Sequence, residues 1–221
     1  MFFPKLKLWL FKLLFEERCV HCHRRDATDF GYLCEVCFYQ LIPTKRYENL
    51  AVPYVDGFYT IFEHKGIGQI IVDLIKFKNV SSLARQVGKL AEPFLEDIYK
   101  EINPDYVTVV PPDPLKLWFI RGFNPPLEMV KETFLGKKVK PILIRRLNIR
   151  RPLSRAKDKL HRFRLVKNNF TVRKEYLDLV KGKTILVIDD VLTTGATASE
   201  VGKILKSLSV EKVYWFSFFR A

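Results

Sequence analysis

Sixteen consecutive residues near the carboxyl end, Thr184 to Ser199, read TILVIDDVLTTGATAS and constrain the fold more than any other part of the chain. The apolar run from Ile185 to Ile188 predicts a short strand that is buried on both faces. Two adjacent carboxylates follow it, and a hydroxyl-rich turn then leads into a helical pattern from Ala198 to Leu208. A strand, a turn and a helix in this order are typical of an α/β fold.

The turn after this strand has the composition of an anion site. Backbone N–H groups at the start of a helix are unpaired and carry a partial positive charge. Threonine hydroxyls can donate to phosphate oxygens, and a glycine lets the backbone approach a ligand closely or take a positive φ. A helix start capped by threonines is the alternative interpretation. We predict that a phosphate binds at Thr193, Thr194, Gly195, Ala196 and Thr197.

The carboxylates of Asp189 and Asp190 would repel a phosphate that faced them. Placed at the end of a strand, they suit sugar hydroxyls or a hydrated Mg²⁺ instead. Solvated aspartates in a turn are the alternative. Together with the turn, the pair predicts a ligand such as a ribose phosphate, with Asp189 and Asp190 as the candidate catalytic residues.

Four cysteines, the only ones in the chain, form two pairs in the segments CVHC and CEVC. Each pair puts two thiolates on one tight turn, and two such turns complete a tetrahedral shell for Zn²⁺. Disulfides are the weaker alternative in a chain without an export signal. We predict a structural zinc site with His21 and His23 at its rim. The predicted ligands are Cys19, Cys22, Cys34 and Cys37.

The chain has a net charge of +14, from 38 Lys and Arg against 24 Asp and Glu. Such a balance favours polyanionic partners, nucleic acid first and an anionic membrane surface second. Residues 145–174 contain twelve Lys or Arg and a single carboxylate, Asp158. A solvated charged face is the alternative to a nucleic-acid groove here. The candidate nucleic-acid contacts are Arg150, Arg151, Arg155, Lys157, Arg162 and Arg164.

The remaining pattern alternates strands and helices, which predicts a mostly parallel sheet with a ligand at the carboxyl ends of its strands. Further predicted strands are 57–63, 105–110, 139–144 and 213–219, and further predicted helices are 67–77, about 81–102 with a cap at Ser81 or Ser82, and 127–135. The apolar segment Leu6 to Phe15 predicts either a membrane-surface helix or a short packed helix. No apolar run is long enough to cross a membrane, so we expect a cytoplasmic protein that is not transmembrane, with membrane association as an alternative.

The stretch 184–199 resembles the phosphoribosyl-diphosphate (PRPP) signature of type I phosphoribosyltransferases. Together with the cysteine pairs and the RGFN motif at Arg121 to Asn124, it resembles the ComF family of competence proteins. The resemblance implies a type I phosphoribosyltransferase-like parallel sheet flanked by helices. It also implies two domains, an N-terminal helix and zinc module at 1–45 and a phosphoribosyltransferase-like domain at 46–221.

The resemblance implies that PRPP binds with Mg²⁺ and that phosphoribosyl transfer is open to the site. Its diphosphate would meet the loop Pro112 to Leu115, through the amides of Asp113 and Leu115, and the fork of Arg121. The resemblance makes Lys76 a candidate for a ComF-type lysine near the diphosphate, but we expect a solvated lysine at a helix end instead.

The resemblance further implies natural transformation, with single-stranded DNA as a partner and DNA-uptake proteins at the inner membrane as others. Two alternatives stay open. One is a small-molecule phosphoribosyltransferase in nucleotide salvage, and the other is a non-enzymatic adaptor that uses the zinc module and the basic strip.

Overall fold

A computed structural model describes residues 18–24, 32–48, 50–146 and 169–221, and its centre is a five-stranded sheet. The strands are β1 (Arg46–Tyr47), β2 (Gly57–Glu63), β3 (Tyr106–Val109), β4 (Leu143–Arg145), β5 (Phe170–Val172), β6 (Thr184–Leu192) and β7 (Lys212–Arg220). The helices are α1 (Glu35–Phe38), α2 (Ile67–Phe77), α3 (Ser81–Ile102), α4 (Pro114–Lys116), α5 (Pro125–Val130) and α6 (Ala196–Ser207). A π-helical turn, Leu117–Arg121, continues α4.

Strand β7 is the centre of the sheet, whose order is β1-β2-β7-β6-β3. It pairs in parallel with both β2 and β6, and β3 pairs in parallel with β6. Only β1, at one edge of this sheet, is antiparallel. The predicted mostly parallel α/β sheet is therefore confirmed.

Alternate residues of β6 enter two cores on opposite faces of the sheet. Leu186 and Ile188 pack with the cluster formed by α2, α3, α5 and the described part of the cysteine segment. Ile185 and Val187 pack with α6 and with the separate antiparallel pair of β4 and β5. Helices on both faces leave the carboxyl ends of the strands as the open edge for a ligand.

Helices α3 and α5 pack together at unusually close range at Gly88. A Cβ atom built there would lie 1.6 Å from the carbonyl oxygen of Met129. No other residue type fits without moving one helix, so the glycine sets the distance between them.

Several predicted elements are confirmed with their bounds, namely the strand 57–63 and the helices 67–77 and 81–102. The predicted serine cap of α3 is wrong, because Val80 is the N-cap residue and no side chain caps the helix. The helix begins at Ser81, so both serines lie inside its first turn, and the Ser81 hydroxyl accepts from Arg85 at 3.5 Å.

Two predicted elements between residues 125 and 145 have the wrong bounds. The helix expected at 127–135 begins at Pro125, whose fixed φ suits a first helical turn, and ends at Val130. The strand expected at 139–144 is interrupted by Pro141, which has no N–H to donate. Val139 forms only an isolated bridge to Val107, and the strand β4 starts at Leu143.

Within the described ranges, no helix is both long and apolar enough to cross a membrane. The segment Leu6 to Phe15 lies outside the described residues.

Candidate functional site

A cleft of about 400 Å³ opens at the carboxyl ends of β3 and β6. It is lined by the last residues of β6, the turn that follows, the loop after β3, the end of α2 and the start of α5. Among the predicted site residues it contains Asp113, Asp189, Asp190, Thr193, Thr194, Gly195, Ala196 and Thr197. Tertiary structure thus brings together residues that are far apart in the sequence, such as Lys76, Asp113 and Thr197.

The turn between β6 and α6 has the backbone geometry of an anion site. Gly195 is the N-cap of the twelve-residue helix α6, with φ 74°. A Cβ atom at this position would lie 2.6 Å from a methyl group of Val52, so both the conformation and the space require glycine. The guanidinium of Arg220 donates to the Thr193 carbonyl at 3.0 Å and holds the turn. The first amides of α6 have no intrahelical acceptor, and no side chain of the described residues caps the helix, so these amides can donate to an anion.

The two aspartates lie within β6 and not after it, which corrects the predicted end of the strand at Ile188. Backbone pairing with β7 continues to Leu192, with Asp189 opposite Ser217. The Asp190 amide donates to an Asp189 carboxylate oxygen at 2.9 Å. The pKa of Asp189 is raised to about 7. Burial of the carboxyl group is the main cause, and the nearby Asp190 carboxylate is the second. Asp189 therefore lines the cleft as a poorly solvated acid.

Lys76 forms an ion pair with Asp190 across the cleft, with Nζ 2.9 Å from Oδ2. The side chains are only 20% and 13% exposed. The expectation of a solvated lysine is therefore wrong, because α2 ends against the cleft and directs its last basic side chain inward.

Arg145 is a site residue that sequence reasoning placed only in the basic strip. It lines the cleft, its guanidinium lies 5.3 Å from the centre of the Phe170 ring, and Nη2 is 3.7 Å from Asp113 Oδ2. Burial lowers its pKa, and Asp113, Asp189 and Glu200 oppose this effect. An arginine keeps its charge under such a shift, so the cleft has a fixed cation facing its acids.

In the loop after β3, the Leu115 amide, which was predicted to bind diphosphate, already donates to a side chain. Asp113 is the N-cap of α4, and its carboxylate accepts from the amides of Leu115 at 3.0 Å and Lys116 at 3.4 Å. The prediction of a free Leu115 amide is therefore wrong, because the aspartate side chain already satisfies it. Lys116 lines the cleft and is the basic group that this loop contributes.

The RGFN motif connects the π-helical turn to α5. Arg121 is the last residue of that turn, and its assignment to a phosphate stays a prediction. The Asn124 side chain donates to the Val110 carbonyl at 3.1 Å and lines the cleft. Its buried Oδ1 has no hydrogen-bond partner within the described ranges, so it can accept from a ligand hydroxyl.

His64 is a further cleft residue that sequence reasoning missed. It directly follows β2, and its amide donates to the Arg220 carbonyl at 2.7 Å. Burial lowers its pKa, and the adjacent Lys76 ammonium adds to the effect. Its place after a predicted parallel strand was the available signal, since the carboxyl ends of such strands share one edge.

The four predicted zinc ligands form one cluster. The sulfur atoms of Cys19, Cys22, Cys34 and Cys37 all lie within 4.8 Å of one another. Burial alone would raise the pKa of Cys19, but hydrogen bonds from the amides of Cys22, Cys34 and His21 lower it to about 6. His21 lies beside the cluster, with Nδ1 3.3 Å from Cys37 Sγ. The cluster could hold a zinc ion with four thiolates, and His21 fits a hydrogen-bond donor to one of them.

The six predicted nucleic-acid contacts, Arg150, Arg151, Arg155, Lys157, Arg162 and Arg164, lie outside the described residues. Their role stays a prediction. Phe170, near the end of the same strip, is buried in β5.

Comparison with known proteins locates one family match. Residues 136–220 match the family model described as "Phosphoribosyl transferase domain". A similar solved structure is titled "Structure of the allosteric regulatory enzyme of purine biosynthesis", at 16% identity and a TM-score of 0.42. The alignment covers 66% of this chain and 30% of that one. No curated protein matches the sequence. The matched segment contains β6, the acidic pair and the α6 turn, and the chain therefore carries a phosphoribosyltransferase-type domain.

Proposed function

We propose that the cleft binds PRPP together with Mg²⁺. One observation carries this proposal, namely the meeting of an acidic pair, a helix-capping anion turn and several cations in one cleft. A ligand with two separated phosphate groups and a hydroxyl-bearing sugar between them matches this set of groups. The turn and the cations suit the phosphates, and the acidic pair suits the sugar hydroxyls. The family match over residues 136–220 supports the same class of ligand.

In the proposed complex the 5′-phosphate binds the amides and hydroxyls of residues 193–197. The ribose hydroxyls face Asp189 and Asp190. One of these hydroxyls donates to the side-chain oxygen Oδ1 of Asn124. The diphosphate lies toward Asp113, and Lys76, Lys116 and Arg145, which line the same cleft, supply positive charge. Arg121 is proposed as an additional diphosphate contact.

The donor set of the cleft fits Mg²⁺, because this hard cation prefers carboxylate oxygen and retained water. Asp189 and Asp190 would hold the ion, and when bound it would neutralise charge on the diphosphate. In the structure Lys76 forms an ion pair with Asp190. The Lys76 ammonium and the ion would therefore compete for the same carboxylate.

The chemistry open to such a complex is phosphoribosyl transfer. The bond from ribose C1 to the diphosphate oxygen breaks with its electron pair on the diphosphate, and an acceptor forms the new bond to C1. Asp189 and Asp190 would orient the ribose and stabilise the positive charge that develops near C1. Lys76, Lys116 and Arg145 would stabilise the departing diphosphate.

We further propose that the protein acts in natural transformation, as a ComF-type protein that binds single-stranded DNA in the cytoplasm and contacts the uptake proteins at the inner membrane. The support is the resemblance in the motifs and the charge of +14, of which the cleft uses a small part. The cysteine cluster would hold a structural zinc ion in the N-terminal module at 1–45, joined to the phosphoribosyltransferase-like domain at 46–221.

Calorimetric titration with PRPP and Mg²⁺ tests the cleft. We expect binding by the wild type, a loss of at least tenfold in affinity in Asp190→Asn and in Asp189→Asn, and no change in Asp178→Asn. Asp178 is a matched control because its carboxylate is 88% exposed and outside the cleft. Equal affinities in all four proteins would refute the assignment.

A diphosphate-release assay then identifies the reaction. Release that depends on a free nucleobase would favour the salvage phosphoribosyltransferase. PRPP binding without release, combined with binding of single-stranded DNA, would favour a ligand-sensing role in transformation.

A further inference from the structure

Large apolar side chains are exposed beside the cleft. On the π-helical turn, Trp118 is 73% exposed, Phe119 79% and Ile120 52%, and Phe77 at the end of α2 is 66% exposed. The Asn79 side chain donates to the Ile120 carbonyl at 2.6 Å, which holds the two segments side by side. We call Phe77, Trp118, Phe119 and Ile120 the aromatic patch.

Single exposed apolar residues are ordinary in folded proteins, but several on adjoining segments indicate a binding surface. Three of these side chains lie on the π-helical turn that continues α4. α4 starts at a capped proline, and the helix then widens into π geometry until Gly122 ends it with φ 70°. Neither core of the protein includes the rings of Trp118 or Phe119.

Cations flank these rings along the chain. The segments read LIKFKNV at 74–80 and PLKLWFIR at 114–121, and neither contains a carboxylate. Lys76, Phe77 and Lys116 also line the cleft, so the aromatic patch adjoins the proposed phosphate site. A surface of exposed rings among lysines matches a ligand that has both flat apolar faces and negative charges.

We propose that the aromatic patch stacks the bases of single-stranded nucleic acid, with Trp118 and Phe119 as the stacking side chains and Lys78 and Lys116 as phosphate contacts. This inference rests on the single-strand binding in the proposed function and names residues for it outside the basic strip. The strand would then lie across the mouth of the cleft.

The exposure of the rings favours a strand over a free nucleobase. A base stacked on one open ring gains only about 1–3 kcal/mol, which is too little to hold a free base against its lost freedom of motion. A strand adds successive stacks and phosphate contacts on one chain. Phe77 and Lys116 also line the concave cleft, and a flexible polyanion can follow such a concave surface, whereas a flat bilayer cannot.

Fluorescence anisotropy with labelled oligothymidylate and an abasic oligonucleotide of equal length tests the proposal. The abasic strand keeps the phosphates and removes the bases. We expect the wild type to prefer oligothymidylate by about tenfold or more, the value of one stacked base. The double variant Trp118→Leu with Phe119→Leu keeps apolar surface without flat rings and should bind both strands equally. Trp118→Tyr with Phe119→Tyr keeps the rings and should retain the preference.

The fluorescence of Trp118 gives a second measurement of stacking, and this measurement requires no substitution in the aromatic patch. In Trp9→Phe protein, emission comes from Trp118 and from Trp215, which is 1% exposed. Stacking should quench the Trp118 component with oligothymidylate and leave it unchanged with the abasic strand.

The outcomes separate this inference from the proposed function. Equal binding of both strands by the wild type, or an unchanged preference in the leucine variant, would overturn stacking while single-strand binding stands. Binding to neither strand would overturn both. Binding to phosphatidylserine vesicles but not to oligothymidylate would replace the proposed strand with a membrane surface.

Discussion

The Lys76 ammonium occupies a position on Asp190 that a bound divalent cation would also use. The pair is 2.9 Å apart and mostly shielded from water, so the attraction between its two charges is screened less than in an exposed ion pair. In the proposed complex, a cation that binds the same oxygen of Asp190 would displace Lys76. The lysine would then be available for the diphosphate, which would link metal binding to ligand binding.

Replacing Lys76 by Met should have opposite effects on the two ligands. Without its competitor, Asp190 should bind Mn²⁺, used as a spectroscopic substitute for Mg²⁺, about tenfold more tightly in the absence of PRPP, a change of ~1.4 kcal/mol. PRPP affinity should fall, because a cation facing the diphosphate is lost. Electron paramagnetic resonance titration measures the first effect and calorimetry the second. Lys78→Met, two positions away and outside the cleft lining, is the matched control. Weaker Mn²⁺ binding in Lys76→Met would show that the lysine does not compete for Asp190.

Side chains that follow a strand or line a helix-capping turn were predictable, and those that converge from other elements were not. The sequence order alone indicates that Asp189, Asp190 and residues 193–197 adjoin each other. Lys76 and Arg145 enter the cleft from α2 and β4, and a basic residue at a helix end or after a strand can equally face solvent. Packing of those elements against the sheet decides the direction.

At the scale of elements, the contact between α3 and α5 depends on Gly88. Gly88→Ala would place a methyl group against the Met129 backbone, where no flexible side chain can give way. We expect a loss of about 1–3 kcal/mol in the free energy of unfolding, the usual range for overpacking with backbone displacement. Urea denaturation measures it. Lys100→Ala in the same helix, where the lysine is 72% exposed, should change stability by about 0.5 kcal/mol or less. Equal stability of Gly88→Ala and wild type would contradict the observed contact.

The cysteine cluster shares a core with α2 and α3, since Cys19, Cys34 and Cys37 belong to the same buried cluster as those helices. Loss of a ligand should therefore affect more than the N-terminal segment. We expect Cys34→Ser to release zinc and to lower the midpoint of thermal unfolding by several degrees. Elemental analysis and calorimetry measure the two effects.

His21→Ala is the control for the ligand set. Four thiolates close a zinc shell, so this variant should keep a full equivalent of zinc even though Nδ1 of His21 lies 3.3 Å from Cys37 Sγ. Zinc retained in Cys34→Ser, or lost in His21→Ala, would refute the four-cysteine site.

Element bounds were predictable where one apolar period runs without interruption, as in β2, α2 and α3. They were wrong where a proline or a side chain changes the local hydrogen bonding. Pro141 breaks the strand expected at 139–144, and the Thr133 hydroxyl donates to the Val130 carbonyl where α5 ends. The length of β6 is a different case, because pairing with β7 extends the strand through two charged residues.

For the whole molecule, the excess positive charge predicts a salt-dependent interaction with nucleic acid. Neutralising Arg150, Arg151 and Arg155 to Gln should weaken binding to single-stranded DNA and reduce the slope of log K against log salt by about 0.7 for each lost phosphate contact. Anisotropy titrations at several salt concentrations measure the slope.

A variant with Lys100, Lys181 and Lys212 changed to Gln removes the same charge from the described surface outside the cleft lining. It should keep the wild-type slope, because total charge changes affinity less than contacts do. Equal slopes for the arginine variant and the wild type would exclude the basic strip as the DNA site.

By itself the sequence determined the α/β class, the parallel central strands, the cysteine pairs and the acidic pair before a glycine-containing turn. Each of these depends on residues that are near in the chain, where periodicity and turn chemistry act locally. Tertiary structure alone decided that Lys76 pairs with Asp190 and that Arg145 lines the cleft. It also decided that the Leu115 amide donates to the Asp113 carboxylate and that Trp118 and Phe119 are exposed. The physical reason is that the direction of a side chain and its solvation depend on which distant elements pack beside it, and no local pattern contains that information.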